Sequence, residues 1–248
     1  MTDESFARAG RWAAYAAAAF SILYALSLAA GTGWMEGVSA TVAAAAANRV
    51  LNSGASWILA ASGLAMTLAV LAVASRDCAS AAWMRWAGSL GFIGAALTVV
   101  HGIYDAVRVP MLLQQWELGL PDRRAAISTF SGVPTPVDPR GVASLLFIGL
   151  FVLVAARLVA GPSAYRRLGM LHGALLVAAF VCGAGAVVTR VPTFQWGYLA
   201  IGAASFAVSG PLWWIAVARL PAAFSDGDAP EHSHSVGTSD GDTRRRDA

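Results

Sequence analysis

The stretch from Val50 to Ala74 reads VLNSGASWILAASGLAMTLAVLAVA, and it decides the fold class. It contains no charged side chain, and small and aliphatic residues dominate it. A helix needs about 20 mostly apolar residues to cross the hydrocarbon core of a bilayer. A helix that is apolar on all sides is buried either in lipid or inside a large protein. The stretch therefore predicts a transmembrane helix.

Five further apolar runs of spanning length follow the same pattern along the chain. Glycine, proline and arginine residues punctuate the connections between them, as expected where helices end. The sequence thus predicts an all-α, polytopic bundle of six transmembrane helices within residues 1–219, with an outer connection at 108–140 and a disordered polar cytoplasmic tail at 220–248. The six predicted helices cover residues 12–31, 50–74, 83–107, 142–160, 168–188 and 196–218.

The composition agrees with this class of protein. Hydrophobic residues make up 57% of the chain and charged residues only 12%, which is about half the charged share of an average soluble domain. The mean hydropathy is +0.61. All 17 basic residues are arginine, so a retinal-type Schiff base, a lysine nucleophile and a phosphate-loop lysine are excluded. We expect membrane lipid as a partner and no nucleic acid.

The arginines also predict an orientation, because cytoplasmic connections carry an excess of positive residues. With the N-terminus inside, eight arginines fall on the cytoplasmic side and six on the other, four of those six in the single long connection. This distribution predicts a protein of the cell membrane with both termini in the cytoplasm. The cytoplasmic set is Arg8, Arg11, Arg76, Arg85, Arg157, Arg166, Arg167 and Arg219.

One polar stretch, from His101 to Arg108, lies at the outer end of the third predicted helix. Helical spacing places His101, Tyr104, Asp105 and Arg108 on one broad face. Ionisable groups below the membrane surface are costly, so they usually face the bundle interior and find partners there. Partners of matching depth begin the second helix. Those candidates are Asn48, Arg49 and Asn52.

Two interpretations of these seven residues remain open. In the first, they form a hydrogen-bonded clasp that holds helices together. In the second, they line an outward-opening pocket for a small molecule, a lipid headgroup or a proton. A catalytic site is not indicated, because His101 and Asp105 lie at the outer end whereas His172 lies near the inner end of the fifth helix, so no metal ligand set and no haem-binding pair is complete.

His172 stands between Gly169 and Gly173, and this spacing is typical of close helix packing. We interpret Ser205, Ser209 and the glycines of the third helix as packing surfaces too. Such small-residue helix faces would also suit a homo-oligomer. No cofactor, metal site or catalytic residue is predicted.

Six helices in about 220 residues, the arginine-rich opening Tyr165-Arg-Arg-Leu-Gly169 and the long third-to-fourth connection resemble an uncharacterised prokaryotic family, the domain of unknown function 4386. The resemblance covers residues 8–219. It implies a six-helix membrane protein, and it carries no activity, substrate or cofactor with it. The stretch from His101 to Arg108 is not assigned to any motif of that family.

The sequence leaves three functional hypotheses. The first is a non-catalytic sensor or accessory protein whose outward-facing polar site on the third helix binds a small-molecule or lipid ligand. The second is a small secondary transporter that uses the same site. The third is a membrane-embedded enzyme acting on lipid or quinone. The residues favour the first.

Overall fold

The computed structural model describes residues 3–31, 47–76, 78–119, 138, 141–189 and 191–220. All regular elements in these ranges are helical, so the predicted all-α class is confirmed. Residues 221–248 of the predicted tail, most of the predicted outer connection and the Arg49 side chain lie outside the described part of the chain, whereas Leu220, predicted to begin the disordered tail, is buried. The helices are α1 (Asp3–Gly31), α2 (Arg49–Ala74), α3 (Ala81–Leu118), α4 (Val142–Leu158), α5 (Ser163–Thr189), α6 (Pro192–Ala204) and α7 (Gly210–Ala218), with a π-helical segment (Ser205–Ser209) between the last two.

Four stretches of the described chain are long and apolar enough to cross a membrane, and they coincide with four of the six predicted segments. The first predicted segment forms α1, whose described part is not among these four. The fourth forms α4, which has 17 residues and is a shorter apolar helix. The chain is thus a membrane-embedded protein by its composition and helix lengths. The four stretches are Val50–Ala74, Ala81–Arg108, Ser163–Thr189 and Thr193–Ala218.

Two helices differ in kind from the prediction, and α1, α5 and α6 also begin earlier than predicted, at Asp3, Ser163 and Pro192. The apolar part of α3 ends at Arg108, one residue beyond the predicted end at Val107, but the helix continues to Leu118, so residues 108–118 are helical where a connection was predicted. Pro110 lies inside this extension and cannot donate a hydrogen bond to the carbonyl of Ala106. The predicted sixth helix is one helical run divided by the π-helical segment, in which the hydrogen bonds reach one residue further than in an α-helix.

The helices form a closed ring in chain order. Each of α1 to α5 packs against the next, α6 packs on α5, and α7 returns to pack against α1 and α5. The α2–α3 contact is close because glycines stand in it: a methyl group added to Gly102 would lie 2.5 Å from the Ala60 backbone nitrogen. Alanines on α1, aliphatic residues on α2 to α5 and tryptophans on α7 share one continuous core.

The two ends of the ring differ in packing. We call the end where α1 begins and α2 ends the arginine-rich end, and the other the His101 end. At the arginine-rich end the connection after α2 crosses to the connection after α4, where Cys78 pairs with Val159 and Ala79 N donates to Leu158 O at 3.5 Å. Tyr165, Trp213 and Leu220 are fully buried there. This end of the bundle is closed.

At the His101 end the packing of α1 and α6 is looser. The last buried side chain of α1 in the described range is Ser21, and none of the described side chains of α6 is buried. By contrast, Trp213 and Trp214 of α7 are buried completely or nearly so. The last helical run is therefore core-packed in its second half only, and its first half packs loosely against the other described helices.

Candidate functional site

The site is centred on a pair of side chains one turn apart on α3. The Nε2 atom of His101 lies 3.3 Å from Oδ2 of Asp105, and the two side chains are 15% and 29% exposed. The other ring nitrogen of His101, Nδ1, is buried and has no hydrogen-bond partner in the described part of the chain. Because a buried polar atom without a partner carries a desolvation cost, this nitrogen is a place where a ligand or water atom would be stabilised.

The next turn of α3 carries Tyr104 and Arg108. The Arg108 guanidinium lies over the Tyr104 ring, 5.7 Å from its centroid. Both contacts, His101 with Asp105 and Arg108 with Tyr104, join residues four apart on the same helix. The clasp interpretation required contacts between helices, and these two pairs do not provide them.

Aromatic side chains from α1 and the last helical run complete the site, and the sequence did not predict them. Tyr24 on α1 is close enough to Asp105 and to Tyr198 of α6 to interact electrostatically with both. Its ring also makes an edge contact with Phe206, with 5.7 Å between centroids. The only sequence signal for Tyr24 was a tyrosine in the middle of an apolar helix. Which neighbouring helix its side chain faces depends on the tertiary packing.

The candidate residues on α2 lie at different distances from the site. Gly102 contacts the Ser56–Ala60 turn and Gly63 contacts the Ala95–Val99 turn, and this antiparallel register puts Asn52 at about the level of Arg108. Asn52 is nearly buried, and its Nδ2 donates to the Asn48 carbonyl at 3.2 Å. The Asn48 side chain is exposed. Asn52 thus borders the site, whereas Asn48 lies about one turn above it.

One face of the last helical run leads inward from this site. Tyr198, Gly202, Ser205 and Ser209 are spaced at three or four residues and so share one helix face. Ser205 and Ser209 are buried on that face, yet a methyl group added to Gly202 would meet no atom within 4 Å. An inward-facing position with no neighbour indicates open space beside Gly202. The Tyr24–Phe206 contact lies just beyond it.

Beyond that aromatic contact lies a second polar cluster, which the sequence interpretation had assigned to packing. The Nδ1 atom of His172 and the Ser209 hydroxyl are 3.0 Å apart, and both side chains are buried. The Ser205 hydroxyl and the Trp213 N–H are buried without a hydrogen-bond partner in the described chain. π-helical segments occur frequently at functional sites, but a π-turn leaves no simple mark in a sequence. The helix-packing role predicted for His172 also holds, because its ring lies 6.0 Å from Trp213.

The glycines predicted as packing surfaces are used within this chain. Methyl groups added to Gly91 or Gly94 of α3 would collide with Phe151 and Ile148 of α4. Gly169 of α5 is similarly close to Ala156 and Trp213. These faces are therefore occupied inside the bundle, and the homo-oligomer stays a prediction.

The chemistry open to these side chains follows from their residue types and neighbours. In the described residues, no three His, Cys, Asp or Glu side chains come together as a metal site would require. Ser56, the nearest serine on α2, donates its hydroxyl to the Asn52 carbonyl at 3.3 Å. A catalytic serine would instead donate its hydroxyl proton to a neighbouring base. The arrangement can donate and accept hydrogen bonds and carry a proton on His101 or Asp105.

In comparisons with known proteins, no protein-family model, no curated protein and no solved structure matches this chain. The resemblance to the domain of unknown function 4386 therefore stays a prediction.

Proposed function

We propose that this chain is a six-pass protein of the cell membrane that binds a small polar ligand without transforming it, as a sensor or accessory protein. The observation that carries the proposal is the half-buried His101–Asp105 pair, with the His101 Nδ1 atom buried and unpartnered in the described chain. The proposal includes a water-filled cleft between α1 and α6 beside this pair, which the open space at Gly202 supports. Ionisable residues at such depth are expensive, and they usually serve a function when they face an interior cavity.

The closed ring of helices supports six passes. The helices α1 and α4 occupy places equivalent to the four long apolar helices, and α4 is enclosed by α3 and α5. Its 17 residues extend about 25 Å, only slightly less than the hydrocarbon core. In this arrangement both termini lie in the cytoplasm, the arginine-rich end faces inward and the His101 end faces outward.

A thiol-labelling experiment tests the cleft and the orientation together. In a background with Cys78→Ser and Cys182→Ala, Gly202→Cys should react with a membrane-impermeant charged thiol reagent added to intact cells. Gly202 lies ten residues into α6, about 15 Å along the helix. A thiol at that depth meets a charged reagent only if water fills the cleft.

The matched control is Ala200→Cys, two residues away on the opposite, exposed face of α6. It should remain unlabelled because lipid covers that face. Labelling of Gly202→Cys only after permeabilisation would show that the His101 end faces the cytoplasm. Equal labelling of both variants, or of neither, would contradict a water-filled cleft.

Asp105→Asn separates a ligand site from a structural clasp. Since Asp105 pairs with His101 within one helix and the pair is only half-buried, we expect the variant to lose about 1 to 2 kcal/mol of stability, between the ranges for exposed and for buried pairs. Compounds that raise the melting temperature of the wild type in a small-molecule screen should lose this effect with Asp105→Asn and with His101→Ala. Thermal unfolding in detergent, with and without each compound, measures both quantities.

Two results would count against this proposal. A loss of about 3 to 5 kcal/mol without any ligand effect would restore the clasp interpretation, because that is the range for breaking a buried pair. A stable Asp105→Asn variant that kept every compound response would place the ligand elsewhere.

A secondary transporter is the alternative, and one observation favours it. The cleft leads from His101 toward a second polar cluster at the divided last helix, where His172 meets Ser209. Interrupted helices near the bilayer midplane are common at transporter binding sites. Uptake of a compound that stabilises the purified protein into proteoliposomes, blocked by Asp105→Asn, would select this alternative.

A further inference from the structure

The last helical run changes its winding near its middle. The π-helical segment Ser205–Ser209 lies close to the centre of the apolar stretch Thr193–Ala218, and Pro211 follows it in the first turn of α7. Proline has no N–H, and its ring crowds the carbonyl four residues before it, so a regular α-helix is disturbed there. Within a bilayer, polar groups at such an interruption need partners from neighbouring helices, hydroxyl side chains or water.

Two polar side chains from different helices meet at this segment. Ser205 is fully buried, and its hydroxyl has no hydrogen-bond partner in the described chain. His172 of α5 is 4% exposed, and its Nδ1 atom lies 3.0 Å from the Ser209 hydroxyl. A methyl group added to Gly210 would lie 3.5 Å from Nε2 of His172 and 2.7 Å from the Ser205 carbonyl oxygen. The second ring nitrogen of His172 and Ser205 therefore border the same glycine.

The Ser205 hydroxyl differs from other buried hydroxyls of the bundle. Ser21 donates to the Ala17 carbonyl at 2.7 Å, and Thr98 donates to the Gly94 carbonyl at 3.0 Å. Such bonds within one helix satisfy the hydroxyl without any ligand. The Ser205 hydroxyl makes no bond of this kind to the residues that the structure describes. Because an unsatisfied buried hydroxyl carries its full desolvation cost, an oxygen atom that reaches Ser205 would be stabilised there.

Space and charge define the kind of molecule that suits this place. One turn before Ser205, a methyl group added to Gly202 would meet no atom within 4 Å, so there is room for further atoms. The last helical run contains no charged residue, and neither do α1 after Arg11, α4 before Arg157 and α5 after Arg167. An ion at this depth would lack a counter-charge, and its burial would be costly. The fitting ligand is therefore neutral.

We propose that the π-helical segment binds a small neutral molecule through one oxygen atom, which accepts a hydrogen bond from the Ser205 hydroxyl and lies beside Nε2 of His172. Water and a small organic carbonyl compound share this chemistry, since the oxygen of each accepts hydrogen bonds. The Trp213 N–H is outside the site, because its nitrogen faces Gly169, one turn of α5 before His172. The inference goes beyond the proposed function, since the site takes no group from the His101–Asp105 pair.

Thermal unfolding of the purified full-length protein in one detergent tests for a resident water molecule. Ser205→Ala should lower the melting temperature by about 2 to 4 °C, the shift expected for the loss of one hydrogen bond in a chain of this size. The matched control is Ser62→Ala on α2, whose hydroxyl is also buried without a partner in the described chain. Ser62→Ala should leave the melting temperature unchanged or raise it, because it removes an unsatisfied hydroxyl from a regular α-helix.

Two compounds of nearly the same shape test for an organic ligand. Cyclopentanone has an acceptor oxygen, whereas methylenecyclopentane has a CH₂ group in its place. An organic ligand predicts that cyclopentanone raises the melting temperature of the wild type more than methylenecyclopentane does, and that Ser205→Ala abolishes this difference. Asp105→Asn should retain the difference, because Asp105 belongs to the other site. A failure of this inference is thereby distinguishable from a failure of the proposed function.

The outcomes separate the two sources and can overturn the inference. A lower melting temperature of Ser205→Ala than of Ser62→Ala, without any added compound, identifies water. A cyclopentanone effect that depends on Ser205 identifies an organic ligand. If Ser205→Ala and Ser62→Ala unfold at the same temperature and the two compounds act equally on the wild type, the segment holds no ligand. A cyclopentanone effect that Ser205→Ala keeps and Asp105→Asn abolishes would overturn the inference as well.

Discussion

Replacing Trp213 with alanine should destabilise the bundle more than any other single side-chain truncation proposed for this protein. Trp213 is fully buried, and its ring contacts Phe151, Tyr165, His172 and Trp214 at centroid distances of 4.6 to 6.3 Å. It thereby connects α4, α5 and α7. Truncation of a buried tryptophan to alanine costs about 3 to 5 kcal/mol, because it leaves a cavity that the neighbours fill only in part.

Two variants check the origin of this loss. Trp57→Ala removes an equal volume from a side chain that is 56% exposed, so its effect should remain within about 0.5 kcal/mol. Trp213→Phe keeps a ring in the cluster and removes an N–H that has no hydrogen-bond partner in the described chain, so it should cost much less than alanine. Thermal unfolding in one detergent measures all three, and a Trp213→Ala protein as stable as Trp57→Ala would refute this account of the core.

The helix positions could be predicted because the bilayer imposes a length on apolar segments. Val50–Ala74 appears in the structure with its predicted bounds. The extension of α3 beyond Arg108 was missed, because Pro110 is ordinarily a sign that a helix ends. The π-helical segment was missed since its one-residue shift depends on how Ser205 to Ser209 pack against α5 and α1.

The candidate site, like the helices, was predictable from the sequence only in part. His101 and Asp105 were predictable as a pair because their spacing of four residues places them on one helix face, whichever helices lie beside it. Tyr24 and Tyr198 lie 174 residues apart in the sequence, and only the ring closure brings Tyr24 close to both Tyr198 and Asp105. The proposed cleft leaves no sequence signal, because side chains that face lipid and side chains that face the core are both apolar in a membrane protein.

Leucine in place of Gly102 should separate α2 from α3 beside the candidate site. A methyl group at this position would already lie 2.5 Å from Ala60 N, 2.8 Å from Ser56 O and 2.9 Å from Ala60 Cα. All three are backbone atoms of α2, so no side-chain rotation can relieve the collision. Overpacking of a close-packed interface costs about 1 to 3 kcal/mol and occasionally more, and leucine should reach the upper end.

Gly54→Leu provides the matched control because Gly54 lies on α2, the other helix of the same pair, and a methyl group there meets no atom within 4 Å. Leucine has a higher helix propensity than glycine, so this variant should be neutral or gain up to about 1 kcal/mol. Gly102 also adjoins His101, and the separation of α2 from α3 should disturb the His101–Asp105 pair together with the interface. If Gly102→Leu unfolds at the same temperature as Gly54→Leu, the two helices do not approach as closely as the Gly102 contact requires.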